Sequence, residues 1–217
     1  MPLPRLAALL GGVALVGCLP VGPLPAPPTT DALRALHALP VRAPDPHDGY
    51  DRDAFGPRWS DVDRNGCDQR NDVLARDLRD VVTRPGTNDC VVIEGTLDDP
   101  YTGTTIPFVR GRTVQIDHVV ALSNAWTTGA RRLDTDTRER FANDPLNLLA
   151  VDGPSNLSKG DRDASEWLPP NADAHCDFAR RQVAVKAKYG LWVTPPERRA
   201  LERVLVRCPD AVSQLTP

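Results

Sequence analysis

The chain has 217 residues, 41% hydrophobic and 25% charged, enough apolar material for one domain with a real core plus appendages. A formal net charge of −3, with a pI near 5.8, excludes the strongly basic balance of a protein that coats nucleic acid with its whole surface. Acidic residues dominate before residue 110, whereas Arg and Lys are in modest excess from Arg110 to Arg207, so any phosphate-facing surface is expected in that second half.

At the N-terminus, Arg5 precedes an apolar run from Leu6 to Val16 that is too short to span a bilayer and reads as an export signal. It ends in Leu15-Val16-Gly17-Cys18, a lipobox-like close in which Cys18 would be lipidated; the alternative is an ordinary signal cut elsewhere, with Cys18 discarded. With Cys18 set aside, Cys67, Cys90, Cys176 and Cys208 form an even set outside the cytosol. Four cysteines allow three connectivities, and the sequence-local pairs Cys67 with Cys90 and Cys176 with Cys208 are preferred. No CxxC is present and no His stands beside these cysteines at zinc-ligand spacing, which disfavours a metal site there.

Residues 1–18 are therefore expected to be a lipoprotein signal, 19–47 a Pro-rich tether that does not pack, and 48–210 the folded domain. Inside the tether, Thr30 and Asp31 could cap a short helix with Leu33, Leu36 and Leu39 on one side. From Asn71 to Val82 the apolar residues Val73, Leu74, Leu78, Val81 and Val82 recur at helical spacing, and Arg84-Pro85-Gly86 ends the run. Short β-like runs follow at Val91–Glu94, Ile106–Val109 and Thr113–Val120, which suggest a small antiparallel sheet. A polar helix near Asp134–Ala142 leads to a strand at Leu148–Val151, then to a turn at Asp152-Gly153-Pro154 and a new helix for which Ser155 is a plausible cap. Asp177–Tyr189 and Pro196–Arg207 read as amphipathic helices whose outer ends Cys176 and Cys208 could staple. The fold class expected is α+β.

Three short stretches carry the chemistry: Ile116-Asp117-His118-Val119-Val120, Asn143-Asp144-Pro145-Leu146-Asn147-Leu148-Leu149, and Ser155-Asn156-Leu157-Ser158-Lys159-Gly160. Each alone has a plain reading as a surface turn or a buried hydrogen bond. Together they offer a neutral imidazole, His118, as general base near neutral pH, and two hard oxygen donors, Asp117 and Asn156, for one Mg²⁺ or Mn²⁺. Asn147, whose amide has no proton to exchange, would orient the loop carrying His118. Lys159, one helical turn after Asn156, could meet a phosphate oxygen or stand as a solvated surface lysine.

The order DH, N-L-L, N-x-x-K-G resembles the HNH nuclease superfamily in the variant where Asn replaces the final His, an order also found in the HNH domain of RNA-guided CRISPR nucleases. A closer resemblance runs from roughly Tyr50 to Cys208. The blocks YDRDAFGPRWSDVDRNGCDQRNDVL, YTGTTIPFVRGR, QIDHVVALSNAW, FANDPLNLLAVDGPSNLSKGDRDASEWLPP and CDFARRQVAVKAKYGL are similar to those of exported actinobacterial HNH proteins related to the C-terminal domain of GmrSD-type restriction enzymes. This resemblance implies a ββα-metal core with a small antiparallel sheet and flanking helices, and hydrolysis of DNA or RNA. It implies roles for Asp117, His118 and Asn156 at matching positions, with Asn147 as the middle Asn. No His fills the last HNH position and His175 lies too far along, so a weakly held Mg²⁺, Mn²⁺ or Ca²⁺ is expected rather than zinc. DNA is favoured over RNA as the partner.

Other residues have competing readings. Asp61, Asp63, Asn65, Gly66 and Asp72 follow the spacing of an EF-hand-like calcium loop, with a solvated turn as the alternative. Arg180, Arg181, Lys186 and Lys188 could track a phosphate backbone or simply solubilise a helix. Trp59, Trp126, Trp167 and Trp192 are assigned to packing, and Asp161 and Glu166 to surface ion pairing with Arg162. A catalytically silent, calcium-stabilised envelope protein on the same fold is the alternative function.

Overall fold

The computed structural model describes residues 31–111 and 113–208. Cys18, the export signal and the first part of the tether lie outside the described residues. Seven α-helices and five strands make an α+β fold with two small antiparallel sheets and two disulfides among those residues.

The first helix, α1 (Asp31–Ala38), is the one expected from Leu33, Leu36 and Leu39, but the tether reading fails from Asp31 onward. Leu36 and Leu39 are buried against α6 (His175–Lys188) and α7 (Pro195–Leu205). Val193 N–H donates to the Pro40 carbonyl, Arg42 N–H donates to the Val193 carbonyl, and the Trp192 indole donates to the Ala43 carbonyl. Leucines three residues apart thus fill a groove that α6 and α7 leave open, so residues from Asp31 onward, ahead of Asp48, pack into the domain. Loss of that burial would expose several large apolar side chains at about 1.5–3 kcal/mol each.

Helix α2 (Gln69–Asp77) starts where the Asp68 carboxylate accepts from Asn71 N–H. The helical spacing read from Asn71 to Val82 breaks at Leu78, whose backbone is extended, and Leu78–Thr83 is strand β1. Val81, Val82 and Thr83 are β-branched and suit a pleat, and Asp80 adopts a positive φ of 53° where the pairing register shifts. β1 pairs with β2 (Val92–Asp98), which pairs with β3 (Thr105–Val109), both antiparallel.

Strands β4 (Val114–His118) and β5 (Leu148–Asp152) form the second sheet, registered with His118 opposite Leu148 and Val114 opposite Asp152. Between them run α3 (Leu122–Thr127) and α4 (Thr135–Ala142), and after β5 comes α5 (Gly153–Lys159). The outer edge of β5 is closed by α2: Asp77 accepts from Ala150 N–H and Arg76 donates to the Leu148 carbonyl. Side chains pair this backbone edge as a further strand would. The cap of α5 is Asp152, which accepts from Ser155 N–H, so Ser155 is the capped residue and not the cap. Gly153 is required there, because a Cβ would stand 2.5 Å from the Thr113 carbonyl oxygen.

Three apolar clusters surround the β4–β5 hairpin. One lies under α1, α6 and α7, a second gathers Phe55, Trp126 and Phe141, and a third joins the two sheets through Leu74, Phe108 and Leu148. The disulfides are Cys67–Cys90 and Cys176–Cys208, the local pairs expected; the latter ties the start of α6 to the third residue past the end of α7.

Candidate active site

β4 ends at His118 because Asn147 takes over the backbone there. Val119 N–H donates to the Asn147 carbonyl, Val120 N–H to Asn147 Oδ1 at 2.8 Å, and Asn147 Nδ2 to the Val120 carbonyl at 3.2 Å. Asn147 is fully buried, and its side chain serves as a backbone surrogate that fixes the turn after His118.

His118 Nε2 lies 2.8 Å from the Ala142 carbonyl oxygen. A carbonyl only accepts, so Nε2 bears the proton and Nδ1 keeps its lone pair, with no hydrogen-bond partner among the described residues. Burial is the main cause that lowers the His118 pKa from 6.5 to about 4, against the opposing pull of the Ala142 carbonyl and Asp117. The imidazole is therefore neutral at physiological pH. The Trp59 ring lies nearly parallel to it, with an interplanar angle of 11° and centroids 6.2 Å apart.

Asp117, adjacent along β4, turns inward. Its Oδ2 accepts from the Tyr101 hydroxyl at 2.5 Å and its Oδ1 from Lys159 Nζ at 2.9 Å, and Lys159 Nζ also donates to the His118 carbonyl. Asn156 and Lys159 share a face of α5 as expected, but that face packs on β4 and leaves Lys159 with 0% exposure. Lys159 therefore cannot reach a substrate phosphate in this structure; it is the counter-charge of Asp117. Asn156 Nδ2 donates to Gln115 Oε1 at 2.9 Å.

These residues open on one cleft of about 420 Å³. Asp117, His118 and Asn156 contribute to it, Tyr50, Arg52, Arg58 and Trp59 line it from the segment before α2, and Ser123 and Asp161 add two further lining residues. Asp161 accepts from Ser123 Oγ rather than pairing with Arg162, whose guanidinium donates to the Ser158 carbonyl. Trp59 is part of the cleft as well as of the packing. Tyr101, Gln115, Arg52 and Arg58 escaped the sequence reading because no local spacing links them to the DH motif.

For one divalent cation the donor types fit. Each Asp117 oxygen accepts one hydrogen bond and retains further lone-pair capacity, and Asn156 Oδ1 faces no hydrogen-bond donor among the described residues. No group of three His, Cys, Asp or Glu side chains among the described residues is poised to hold a metal, so water would complete the shell.

Elsewhere the expectations divide. His175 Nε2 meets the Pro169 carbonyl, and His175 is not among the cleft residues. The basic set on α6 is no phosphate track: Lys186 is buried and paired with Glu197, Lys188 pairs with Asp144, Arg181 donates to the Leu146 carbonyl, and Arg180 pairs with Asp177. In the acidic loop, Asn65 N–H donates to Asp61 and Asp63, and Asn65 Nδ2 to Asp63 and Asp72. Asp72 Oδ2 is buried without a hydrogen-bond partner, and burial raises the Asp72 pKa, assisted by the nearby carboxylates of Asp63 and Asp61.

An antiparallel strand pair followed by a helix, with a histidine at the end of its first strand, places the site in an α+β domain. The model of the GmrSD restriction endonuclease C-terminal domain matches residues 68–204, and the chain belongs to that family. The chain is also 38% identical over 192 residues to an "Uncharacterized secreted protein" of Arthroderma benhamiae, covering 86% of this chain and 91% of that one. That relative is fungal, whereas the block resemblance had pointed to actinobacterial proteins. No solved structure matches the chain.

Proposed function

We propose that the protein is a metal-dependent endonuclease of the HNH, or ββα-metal, class that hydrolyses phosphodiester bonds of DNA in preference to RNA. The observation that carries this reading is the tautomer of His118. Its Nε2–H is committed to a backbone carbonyl and its Nδ1 lone pair is free, in a cleft that also presents Asn156 and two arginines. Family membership supports a nuclease-related role.

In this reading His118 Nδ1 accepts a proton from a water that attacks phosphorus, and the leaving oxygen departs opposite it and is protonated by solvent. The depressed pKa keeps the base in its neutral form. Asn147 holds the imidazole in place through the Val119–Val120 turn and touches no substrate. Asp117 and Asn156 would hold the cation, which would supply Lewis acidity to the phosphate and charge stabilisation to the leaving oxygen. Lys159 and Tyr101 orient Asp117, and Lys159 balances its charge. No base-reading element is evident among the described residues, which fits cutting without sequence preference.

The fungal relative is named a secreted protein, and this supports export of the present chain. Lipidation at Cys18 would hold it at the outer face of the cytoplasmic membrane. A second cation, Ca²⁺, would stiffen the Asp61–Asp72 loop, where the unpartnered Asp72 Oδ2 is an acceptor in want of a donor. The silent-module alternative draws on the occupied oxygens of Asp117.

Plasmid and RNA cleavage by the oxidised protein, retaining Asp31 onward because α1 is part of the core, tests the reading with Mg²⁺, Mn²⁺, Ca²⁺ or EDTA. Cation-dependent nicking that disappears in His118→Ala supports it. A folded protein that cuts nothing under any cation turns the assignment to the silent module.

A further inference from the structure

The cleft holds two guanidiniums that the proposed chemistry does not use. Arg52 sits in the short 3-10 turn Arg52–Phe55 and is half-buried; one of its nitrogens donates to the Gly56 carbonyl, and it makes no ion pair among the described residues. Arg58, exposed, has neither a hydrogen bond nor an ion pair among the described residues. Both line the same cleft as His118 and Asn156. They are close enough to repel: burial lowers the Arg52 pKa, and Arg58 lowers it further.

A half-buried cation beside a second cation is unfavourable unless an anion is expected between them. Of the nearby carboxylates, exposed Asp53 acts on Arg52 more weakly than Arg58 does and forms no ion pair with it, and the others are engaged elsewhere. Asp117 is balanced by Lys159, Asp51 accepts from Asp53 N–H outside the cleft lining, and Asp161 accepts from Ser123 Oγ. Solubility explains an exposed Arg58 but not a desolvated Arg52 next to it. A guanidinium fork matches the oxygens of a phosphodiester in shape and charge.

We propose that Arg52 and Arg58 form an anion clamp that binds a backbone phosphate of the nucleic acid beside His118. The clamp comes from the segment before residue 68, outside the part of the chain that the family model matches. It takes the role first given to Lys159, which is buried. As a substrate-binding site it rests on the nuclease reading; as an anion site it does not.

The test uses His118→Ala as parent, with EDTA so that nothing is cut, and reads binding of a short fluorescein-labelled DNA duplex by anisotropy across a salt series. Arg52→Gln and Arg58→Gln are each expected to weaken binding about tenfold at low salt. Each should also reduce the slope of log affinity against log salt by about one. Melting temperatures are recorded alongside; if Arg52→Gln unfolds, exposed Arg58→Gln carries the test alone. Inorganic pyrophosphate, measured by calorimetry, is the second probe. Arginine-dependent pyrophosphate binding without duplex binding keeps the clamp and removes the nuclease reading. Unchanged duplex affinity and slope in folded variants, or no binding of either probe by the parent, overturns the clamp.

Discussion

Lys159 Nζ and Asp117 Oδ1 meet at 2.9 Å with neither side chain more than 5% exposed, so the carboxylate at the heart of the candidate site carries its own buried counter-ion. Breaking one half of such a pair strands a charge in the interior. Lys159→Met is expected to cost about 3–5 kcal/mol in urea unfolding. The double variant with Asp117→Asn should cost clearly less than the sum of the two single changes, since the pair acts as a unit. Additive losses would mean that the two groups do not interact.

The same ammonium weakens Asp117 as a ligand. In any Lys159→Met protein that remains folded, Mn²⁺ titrated by electron paramagnetic resonance should bind more tightly than in the wild type, because the carboxylate regains its net charge. Weaker binding would show that Lys159 organises the cation site rather than competing with it.

The pH dependence follows from His118. Its pKa falls from 6.5 to about 4, so the imidazole stays neutral well below pH 6 and protonates only near pH 4. The acid limb of kcat/KM for cleavage should therefore lie near pH 4, provided the fold survives; a limb at 6.5 would place His118 in ordinary solvent. For stability the sign is that of a depressed pKa. The unfolded chain takes up this proton first as pH falls, so the contribution is complete above 6.5 and is lost progressively toward about 4.

Asn147→Ala removes both side-chain bonds to Val120, and the buried backbone N–H and C=O lose their partners. A stability loss of about 1–3 kcal/mol per stranded group is expected. The displaced turn should lower kcat by about a hundredfold. KM should hardly change, because Asn147 touches no substrate. A rise in KM at unchanged kcat would assign it to binding.

Reduction of Cys176–Cys208 frees the start of α6 from the end of α7, over a sequence separation of 32 residues. Loop-closure entropy puts the loss at about 3–4 kcal/mol, and Cys176→Ser with Cys208→Ser should reproduce the drop in melting temperature seen with dithiothreitol. Calcium is expected to raise the melting temperature of the wild type and to do so less in Asp72→Asn, whose side chain would no longer leave an anionic oxygen buried. An equal rise in both would exclude the Asp61–Asp72 loop as the cation's seat.

Much of the hairpin and helix order was legible because it rests on local rules. The polar helix at α4, the α6 periodicity, a strand through Asp117 and His118 (read to Val120, two residues too far), a strand beginning at Leu148 and the two local disulfides all follow from patterns within a few turns of chain. Where two local rules competed, periodicity misled. Leu78, Val81 and Val82 fit a helix as well as a strand, and only the partner strand β2 decides between them. Ser155 reads as a cap from its type alone, whereas the close approach of Gly153 to Thr113 sets where the helix begins and makes Asp152 its cap.

By itself the sequence determined the chemical types at the site: an imidazole, a carboxylate and two amides in a recognisable order, with one residue of each motif fixed by its neighbours along the chain. Tertiary structure decided what each group is free to do. Lys159 points inward because the face of α5 it shares with Asn156 is the one that covers β4. Asp117 is hydrogen-bonded by Tyr101, 16 positions away, and neutralised by Lys159, 42 away, and the cleft gains its arginines from a segment some 60 residues upstream of His118, at Arg52 and Arg58. Charge pairing and desolvation depend on distance in space, which falls steeply with separation and leaves no periodic trace in the order of residues.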